Sequence, residues 1–550
     1  METRPVGRRS RGTVEQSHRP TGLDTCLSLI ELTTGLKIPP SPNTKGDIGT
    51  VADLHRSIRR SSVWMIARFG ISLTVGAFVT TFIIRSLSVK DYGIYTVLYS
   101  MIHYVSVIGS FGIPEVFRRF IPEAMQKKDY SLLRRLVLRG LILRVLLSVL
   151  TVGLMLLLHG PIGRLLKLEN FLNYFSIFAF GIVLSLEAGL MTNVLHSLFL
   201  HKYSVIASTL HTIFRGASIY VLLKLDWGIQ GILWAEVASW GMWTLLQVFF
   251  YYSKFLKRQP KTGTKTPFPM CRFFRYGGLS SLNELGSSVL SVSTDFFVIT
   301  AFLGPAAVAL YAFANRVIQI FANCMPHVML IDVIRPTFFA KYAESGDKKH
   351  LAGMFNLLVK LSAFFVFPLA GGMYVLGGKM IAVVFKPEYM AAKPILWIMI
   401  TLSAIGIFIH PTGLVLQAIE KVQIILYSKI FAVFNLIVEL MVIRRFGVMS
   451  VVVVTCSAVL MKNVFCYYHM KRCTGIGVQW RALSIIGFNS GVMSLFLWAL
   501  RPLVDSVFTL AMVSAGGIIC YLFASFANKA FTAAERGSLN GVARYPVFVF

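Results

Sequence analysis

The chain has 550 residues, of which 55% are hydrophobic and 14% charged, with 54 Lys and Arg against 24 Asp and Glu for a formal net charge of +30. A soluble globular domain is nearer half apolar and a quarter charged, so soluble enzymes and soluble binding modules are poor frames for this composition. Apolar runs of about 20 residues recur along most of the chain, each long enough to cross a hydrocarbon core of roughly 30 Å, and they read as an all-α polytopic membrane protein. The excess of positive charge collects in alternate loops, as membrane orientation requires, and does not point to nucleic acid.

In chain order, residues 1–60 are polar and have no apolar stretch near the start, so they read as a disordered cytoplasmic extension and not as a cleavable signal peptide. About 14 spanning helices are expected after them. The first six lie near 63–85, 92–113, 136–158, 171–192, 204–224 and 229–252. Six more lie near 277–300, 306–330, 354–376, 391–417, 422–443 and 448–468, and a final pair near 482–500 and 504–527. The expected organisation is a six-helix lobe over 61–252, a basic linker over 253–275, a second six-helix lobe over 276–470 and a terminal helix pair with a short tail over 471–550.

The loops set an expected orientation. Arg118, Arg119, Lys127, Lys128, Arg134 and Arg135 follow the second helix, and the linker "SKFLKRQPKTGTKTPFPMCRFFR" carries seven basic residues and no acid. Arg335, Lys341, Lys348, Lys349, Lys471 and Arg472 follow the eighth and twelfth helices. All these loops follow even-numbered helices, so that side and both termini are expected in the cytoplasm, with the protein in the plasma (inner) membrane. Pro326, Pro368 and Pro411 interrupt helices and supply bends.

An offset of 216 residues lays Leu87 on Leu303, Tyr95 on Tyr311 and Arg119 on Arg335. In both copies a long helix, a tight turn, a second long helix and a basic loop follow in order. Six helices separate the copies, so they share one orientation, as in a parallel pseudo-two-fold repeat about the membrane normal.

The stretch "FIIRSLSVKDYGIYTVLYSMIHYVSVIGSFGIPEVFRRFIPE" resembles the start of the polysaccharide and O-antigen flippases. The matching residues are Leu87, Asp91, Tyr92, Gly93 and Tyr95 of the turn, then Gly112, Ile113, Arg118 and Arg119. The segment "FLGPAAVALYAFANRV" is similar to the same family's second turn. The resemblance runs over about residues 60 to 530 and places the chain beside the multidrug/oligosaccharidyl-lipid/polysaccharide exporter superfamily. It implies two lobes that move a polyprenyl-diphosphate-linked oligosaccharide from the cytoplasmic to the outer leaflet by alternating access, for surface polysaccharide biosynthesis. Its implied partners are the lipid-linked substrate, membrane lipids and polysaccharide assembly proteins. A peptidoglycan-precursor flippase or an ion-coupled drug antiporter of the same superfamily is the alternative. A membrane glycosyltransferase or polymerase fits less well, because the outer loops are too short to hold a catalytic domain.

Charge inside an apolar bundle marks candidate function, since an ion at the bilayer centre costs from roughly 3 to over 10 kcal/mol. The 216-residue offset relates Arg68 to Glu284, which suggests a pair facing one cleft. Arg316 suits a diphosphate, because guanidinium binds phosphate bidentately and stays charged, and an ion pair with Asp295 or Glu284 is its alternative. Asp295 and Lys360 are further cavity candidates. Arg118 and Arg119 are placed to meet cargo at the cytoplasmic mouth. Glu187, Glu236 and Glu439 are candidate ion-coupling sites or partners of neighbouring bases. Arg139 and Arg144 are expected at headgroup level. The seven cysteines have no framework spacing, and no metal-ligand motif, nucleotide loop or nucleophile elbow occurs, so no metal, cofactor or catalytic residue is expected.

Overall fold

The computed structural model describes residues 70, 73–127, 129–258, 270–288, 291–323, 348–543 and 549–550, and among these the regular structure is helical with no strand. The polar extension, Arg68, Arg335, Lys341 and Pro326 lie outside the described residues.

The first half begins with α1 (Leu73–Ser86) and α2 (Val89–Ser110), followed by α3 (Ile113–Gln126) and α4 (Tyr130–Leu157). A short α5 (His159–Leu165) leads to α6 (Phe171–Ser197), α7 (His201–Lys224) and α8 (Gly228–Lys254). The second half opens with α9 (Met270–Ser288), α10 (Val292–Leu303), α11 (Pro305–Asn323) and α12 (Lys348–Val384). It continues with α13 (Lys393–Ile405), α14 (Ile409–Ala418), α15 (Val422–Tyr427) and α16 (Ile430–Thr474). The last helices are α17 (Trp480–Leu500), α18 (Val507–Asn528) and α19 (Ala533–Ala543).

Among the described residues, eight helices are long and apolar enough to cross a membrane, or nine if α2 and α3 are one span bent by 57°. The expected count of about 14 is not tested by this measure, which covers the described residues alone and leaves out α8, α9 and α16 as well as the shorter α1 and α10. Large apolar side chains such as Leu150, Leu157, Phe508 and Phe523 are turned outward, which suits helices whose outer faces meet lipid.

Local sequence explains where the helices start and break. Ser88 caps α2: its Oγ accepts from the Asp91 amide at 3.1 Å and donates to the Asp91 carboxylate at 2.7 Å. Asp129 caps α4 by accepting from the Leu132 amide at 2.8 Å. The break between α2 and α3 falls at Phe111 and Gly112, both with positive φ. The two segments expected over 422–468 run together through α16 and part at Gly447, with φ 66° and ψ −156°. Pro368 is accommodated inside α12, and Pro411 follows the 3-10 turn that separates α13 from α14.

Helix packing defines two halves that share a core. In the first, α6 lies against α4 and α8, and α8 against α7. In the second, α12 packs on α13, α17 and α18, and α16 on α10 and α13. The halves meet where α2 packs along α11 and α10, and where α9 packs on α2 and α3.

These contacts close the interface at both ends. At the end away from the basic loops, a Cβ on Gly93 would sit 1.9 Å from the Pro305 carbonyl oxygen, so the two backbones touch. Tyr92 meets Tyr389 edge-on, and Tyr389 stacks on Phe313. Two lysines clasp across the same end. Lys386 donates to the Leu87 carbonyl at 2.7 Å, and Lys167 donates to the Phe302 carbonyl at 2.7 Å. Each reaches from one half to the last carbonyls of a helix in the other, where a cation is favoured. At the basic end a Cβ on Gly112 would sit 2.1 Å from the Gly277 carbonyl oxygen, and its φ of 65° also favours glycine. Arg272 donates to both Glu123 oxygens at 3.2 and 3.1 Å, and Phe120 packs on Phe273.

The terminal helix α19 is tied to the second half. Thr532 and Glu535 form a reciprocal cap: Glu535 accepts from the Thr532 amide at 2.9 Å, and the Thr532 hydroxyl accepts from the Glu535 amide at 3.3 Å. Lys360, 3% exposed at its side chain, donates to Glu535 at 2.9 and 3.0 Å.

Two predictions follow from these ties. The double variant Lys167→Met, Lys386→Met removes both clasps, and hydrogen exchange of the backbone around 87–93 and 302–308 is expected to rise about tenfold or more. Unchanged protection there would show that the clasps do not hold that end. For α19, burial pushes the Glu535 carboxyl up, but hydrogen bonds from Lys360 and the Thr532 backbone outweigh it and hold the group below its ordinary 4.5. A depressed carboxylate contributes stability above its unfolded value and loses it as pH falls through the folded one. Glu535→Gln is therefore expected to lower thermal stability at neutral pH, and the gap to the parent protein should shrink as pH drops below about 4.5.

Candidate functional site

A chamber of about 710 Å³ lies between the halves, and a second of about 440 Å³ shares Thr80, Tyr99, Arg215, Arg316 and Gln319 with it. Helix α2 supplies one wall. Tyr92, Tyr95, Tyr99, His103 and Ser106 recur at three- and four-residue spacing, and this stripe faces the chamber. Helices α4, α6 and α7 add Arg144, Asn193 and Arg215, and α9 and α11 add Glu284 and Arg316.

The charges fall into two groups. The first is neutralised within the protein. Arg215 Nε donates to both Glu236 oxygens at 2.9 and 2.8 Å, and Tyr95 donates its hydroxyl proton to the same carboxylate at 2.8 Å. Glu236 is wholly buried, so this pair fixes α2, α7 and α8 together. Arg118 pairs with Glu115 at 2.7 Å and donates to Asn193 at 3.2 Å at the basic end of the chamber. Arg119 lies over the Tyr276 ring of α9, 5.2 Å from its centroid.

The second group has no counter-charge in contact. Arg316 reaches only neutral oxygens, Thr80 Oγ1 at 3.4 and 3.3 Å and Gln319 Oε1 at 3.4 Å. Among the described residues it pairs with neither Asp295 nor Glu284. Glu284 lines the chamber half-buried, with no ion pair among the described residues. Arg144, only 3% exposed, also lines it, and its Nε and Nη1 have no hydrogen-bond partner. Glu187 stands behind the wall, buried, with both oxygens unpartnered.

Asp295 and Glu439 form a separate site inside the second half. Tyr311 donates to Asp295 at 2.6 Å, and Asn435 and Thr455 donate to Glu439 Oε1 at 2.8 and 2.7 Å. Glu439 Oε2 and Asn435 Oδ1 are buried and unpartnered. Two carboxylates and open neutral oxygens in one dry place form a group suited to a monovalent cation or to protons. Tyr95 and Tyr311, related by the 216-residue offset, make the same contact in their two halves, a hydroxyl donated to a buried carboxylate.

The structure thus brings Glu284, Arg316 and Arg118 to one chamber. Lys360 is placed elsewhere: it is held by Glu535 and does not line the chamber. Asp295 faces Tyr311, on the other side of α10 from the chamber-lining Ser293 and Phe296. Glu236 is the partner of Arg215. Arg144, expected at headgroup level, lies in the chamber wall, at the midpoint of α4. The sequence reading also passed over Tyr99, His103 and Asn193. The stripe of aromatic and polar residues along "YGIYTVLYSMIHYVS" was the signal that could have found the first two.

Fold and site together define a class: a polytopic helical membrane protein of two packed halves with a charged chamber between them. The family model for polysaccharide biosynthesis protein matches residues 82–394, more than half of the chain, and the chain belongs to that family. An uncharacterized membrane protein of Methanocaldococcus jannaschii is 21% identical over 472 residues, covering 81% of this chain and 90% of that protein. The teichuronic acid biosynthesis protein TuaB of Bacillus subtilis is 26% identical over 161 residues, 28% of this chain and 31% of that one. Among solved structures, the lipid II flippase MurJ in an inward closed conformation matches with a TM-score of 0.63 at 15% identity, covering 84% of this chain and 97% of that one. An inward-facing multidrug resistance MATE family transporter of the MOP superfamily matches with a TM-score of 0.60 at 13% identity, covering 74% and 98%. At these identities the likeness is one of fold.

Removing one partner of the buried pair has a definite expected result. Glu236→Gln leaves Arg215 without its counter-charge and is expected to cost about 3 kcal/mol, read as a fall in thermal stability of the purified protein. Arg215→Met combined with Glu236→Gln should recover part of that loss. No loss in the single variant would mean that the pair is not structural.

Proposed function

We propose that this protein is a flippase that carries a polyprenyl-diphosphate-linked oligosaccharide from the cytoplasmic to the outer leaflet for surface polysaccharide biosynthesis. The observation that carries the reading is Arg316, a guanidinium facing the chamber with only neutral contacts among the described residues, in a chain of the polysaccharide biosynthesis family. A diphosphate supplies the missing charge and geometry, because it accepts paired N–H bonds from a single guanidinium. The membrane in this reading is the plasma (inner) membrane, with the basic loops and both termini in the cytoplasm. Arg118, at the basic end of the chamber, is then the group that cargo meets first. The prenyl chain stays in lipid while the head group occupies the chamber.

The Asp295–Glu439 site supplies the coupling in this proposal. It lies apart from the chamber and can exchange a cation or a proton without touching cargo. The fold likeness to a lipid II flippase and to a multidrug transporter does not choose the sugar, and the peptidoglycan-precursor and antiporter readings differ from this one in cargo alone.

The test is flipping by the full chain in liposomes holding a fluorescent polyprenyl-diphosphate sugar in both leaflets. An external, membrane-impermeant enzyme that cleaves the head group reports which lipid has been exposed. The parent protein is expected to expose the inner pool, Arg316→Ala to lose most of that activity, and Glu439→Gln to lose its response to an imposed ion gradient. No exposure of any lipid-linked sugar, with gradient-driven movement of small organic cations instead, would replace the flippase by an antiporter.

A further inference from the structure

Among the described residues, the two chamber arginines without a counter-charge in contact have different surroundings. Around Arg316 the described neighbours are neutral: Thr80, Gln319 and Asn315. Around Arg144 there are two carboxylates, Glu284 in the chamber wall and Glu187 behind it, both acting on the guanidinium electrostatically without a hydrogen bond. Ser148, one turn along the same helix, has a buried hydroxyl with no partner, and His103 Nε2 is likewise unpartnered. Tyr99 and His103 line the chamber from α2, the helix packed beside α4.

A phosphate drawn to Arg144 would meet Glu284 in the same chamber, and like charge opposes it. A hydroxyl does not have this conflict. It can accept from the guanidinium and donate to Glu284, so the two opposite charges, held apart, suit a group that is both donor and acceptor. Aromatic faces and rings with polar tips suit the apolar faces and polar edges of a sugar ring. Arg144 is also buried without partners at Nε and Nη1, a state that is unfavourable until something supplies acceptors.

From this arrangement we infer that Arg144 and Glu284, with His103 and Tyr99, form a saccharide subsite for hydroxyl-rich, uncharged sugar. In it the head group lies with its diphosphate at Arg316 and its sugar toward α4. The inference rests on the lipid-diphosphate reading above and adds to it the orientation of the cargo and the class of sugar. Glu187 is a positioning residue here: it does not line the chamber, and it acts on cargo only by holding the charge of Arg144 in place.

The test is equilibrium binding to the full chain in lipid nanodiscs with two probes, farnesyl diphosphate and farnesyl diphosphate bearing N-acetylglucosamine. The parent protein is expected to bind the sugar-bearing probe about tenfold or more tightly than the bare diphosphate. Arg144→Met and Glu284→Gln should each remove most of that difference and leave the bare diphosphate nearly unchanged, whereas Arg316→Met should weaken both probes. Glu284→Gln keeps shape at a half-buried position, so it carries the test should Arg144→Met fail to fold. Equal affinity of the parent protein for the two probes, or an equal loss for both in Arg144→Met, would overturn the subsite and leave the flippase reading standing. No binding of either probe to the parent protein would take down the lipid-diphosphate reading and the subsite with it.

Discussion

Every part of this structure answers to one constraint: an ionised side chain between apolar helices must find a partner, because the bilayer offers none. Arg215 meets Glu236 and Tyr95, and three helices are fixed by that one contact. Lys360 meets Glu535, and the last helix is fastened to the second half. Asp295 and Glu439 take donors from Tyr311, Asn435 and Thr455. Once these are accounted for, Arg316, Arg144, Glu284 and Glu187 remain among the described residues; the first three line the same chamber, and Glu187 is buried behind its wall. Three of these four unsatisfied groups are placed where cargo could satisfy them. That makes the chamber, and not the second-half carboxylate site, the place to look for cargo.

The repeat matters because it gives each half the same tools at different positions. Tyr95 and Tyr311 each donate to a buried carboxylate, but the first carboxylate is neutralised by Arg215 and the second is shared with another acid. One copy is therefore a rigid structural contact, and the other keeps acceptor oxygens open. The lysine clasps show the same logic, since each half offers a cation to a helix end of the other. An inherited hairpin fixes where a side chain sits, while its neighbours decide what it does.

Much of the fold was legible in the chain. The turn read at Leu87, Asp91, Tyr92 and Gly93 stands where α1 gives way to α2, and the structure adds what the sequence did not show there, the Ser88 cap and the close approach of Gly93 to Pro305. The basic residues after the second helix and in the linker mark one end of the halves. The site was less legible, because hydropathy locates a segment but not its neighbours or its start. Arg144 was set at headgroup level on the assumption that its helix begins near residue 136. The helix begins at Tyr130, and fourteen further residues at 1.5 Å each place Arg144 about 21 Å along it, at its midpoint and in the chamber wall. Lys360 shows the complementary failure: its partner lies 175 residues away in a helix too polar to be counted as a span. No pattern local to α12 announces that pairing.

The two closed ends are not equally strong, and the difference bears on which opens first. At the basic end the ion pair is half in solvent, with Arg272 51% and Glu123 30% exposed, and such pairs contribute about 1 kcal/mol or less. Phe120 on Phe273 adds an aromatic contact of similar size. At the other end two lysines bind carbonyls directly, the Gly93 and Pro305 backbones touch, and Tyr92, Tyr389 and Phe313 are buried in a core that spans both halves. The basic end also brings two backbones together, at Gly112 and Gly277, and buries Phe120 and Phe273 in a core from both halves, so the difference lies in the two lysine–carbonyl bonds that only the far end would have to break. On that count the chamber is admitted to more cheaply through its basic mouth, past Arg118. The opposite end needs a driving force: cargo bound across both halves, or a change of charge at Asp295 and Glu439, Asp295 lying in the first turn of the helix whose last carbonyls Lys167 clasps.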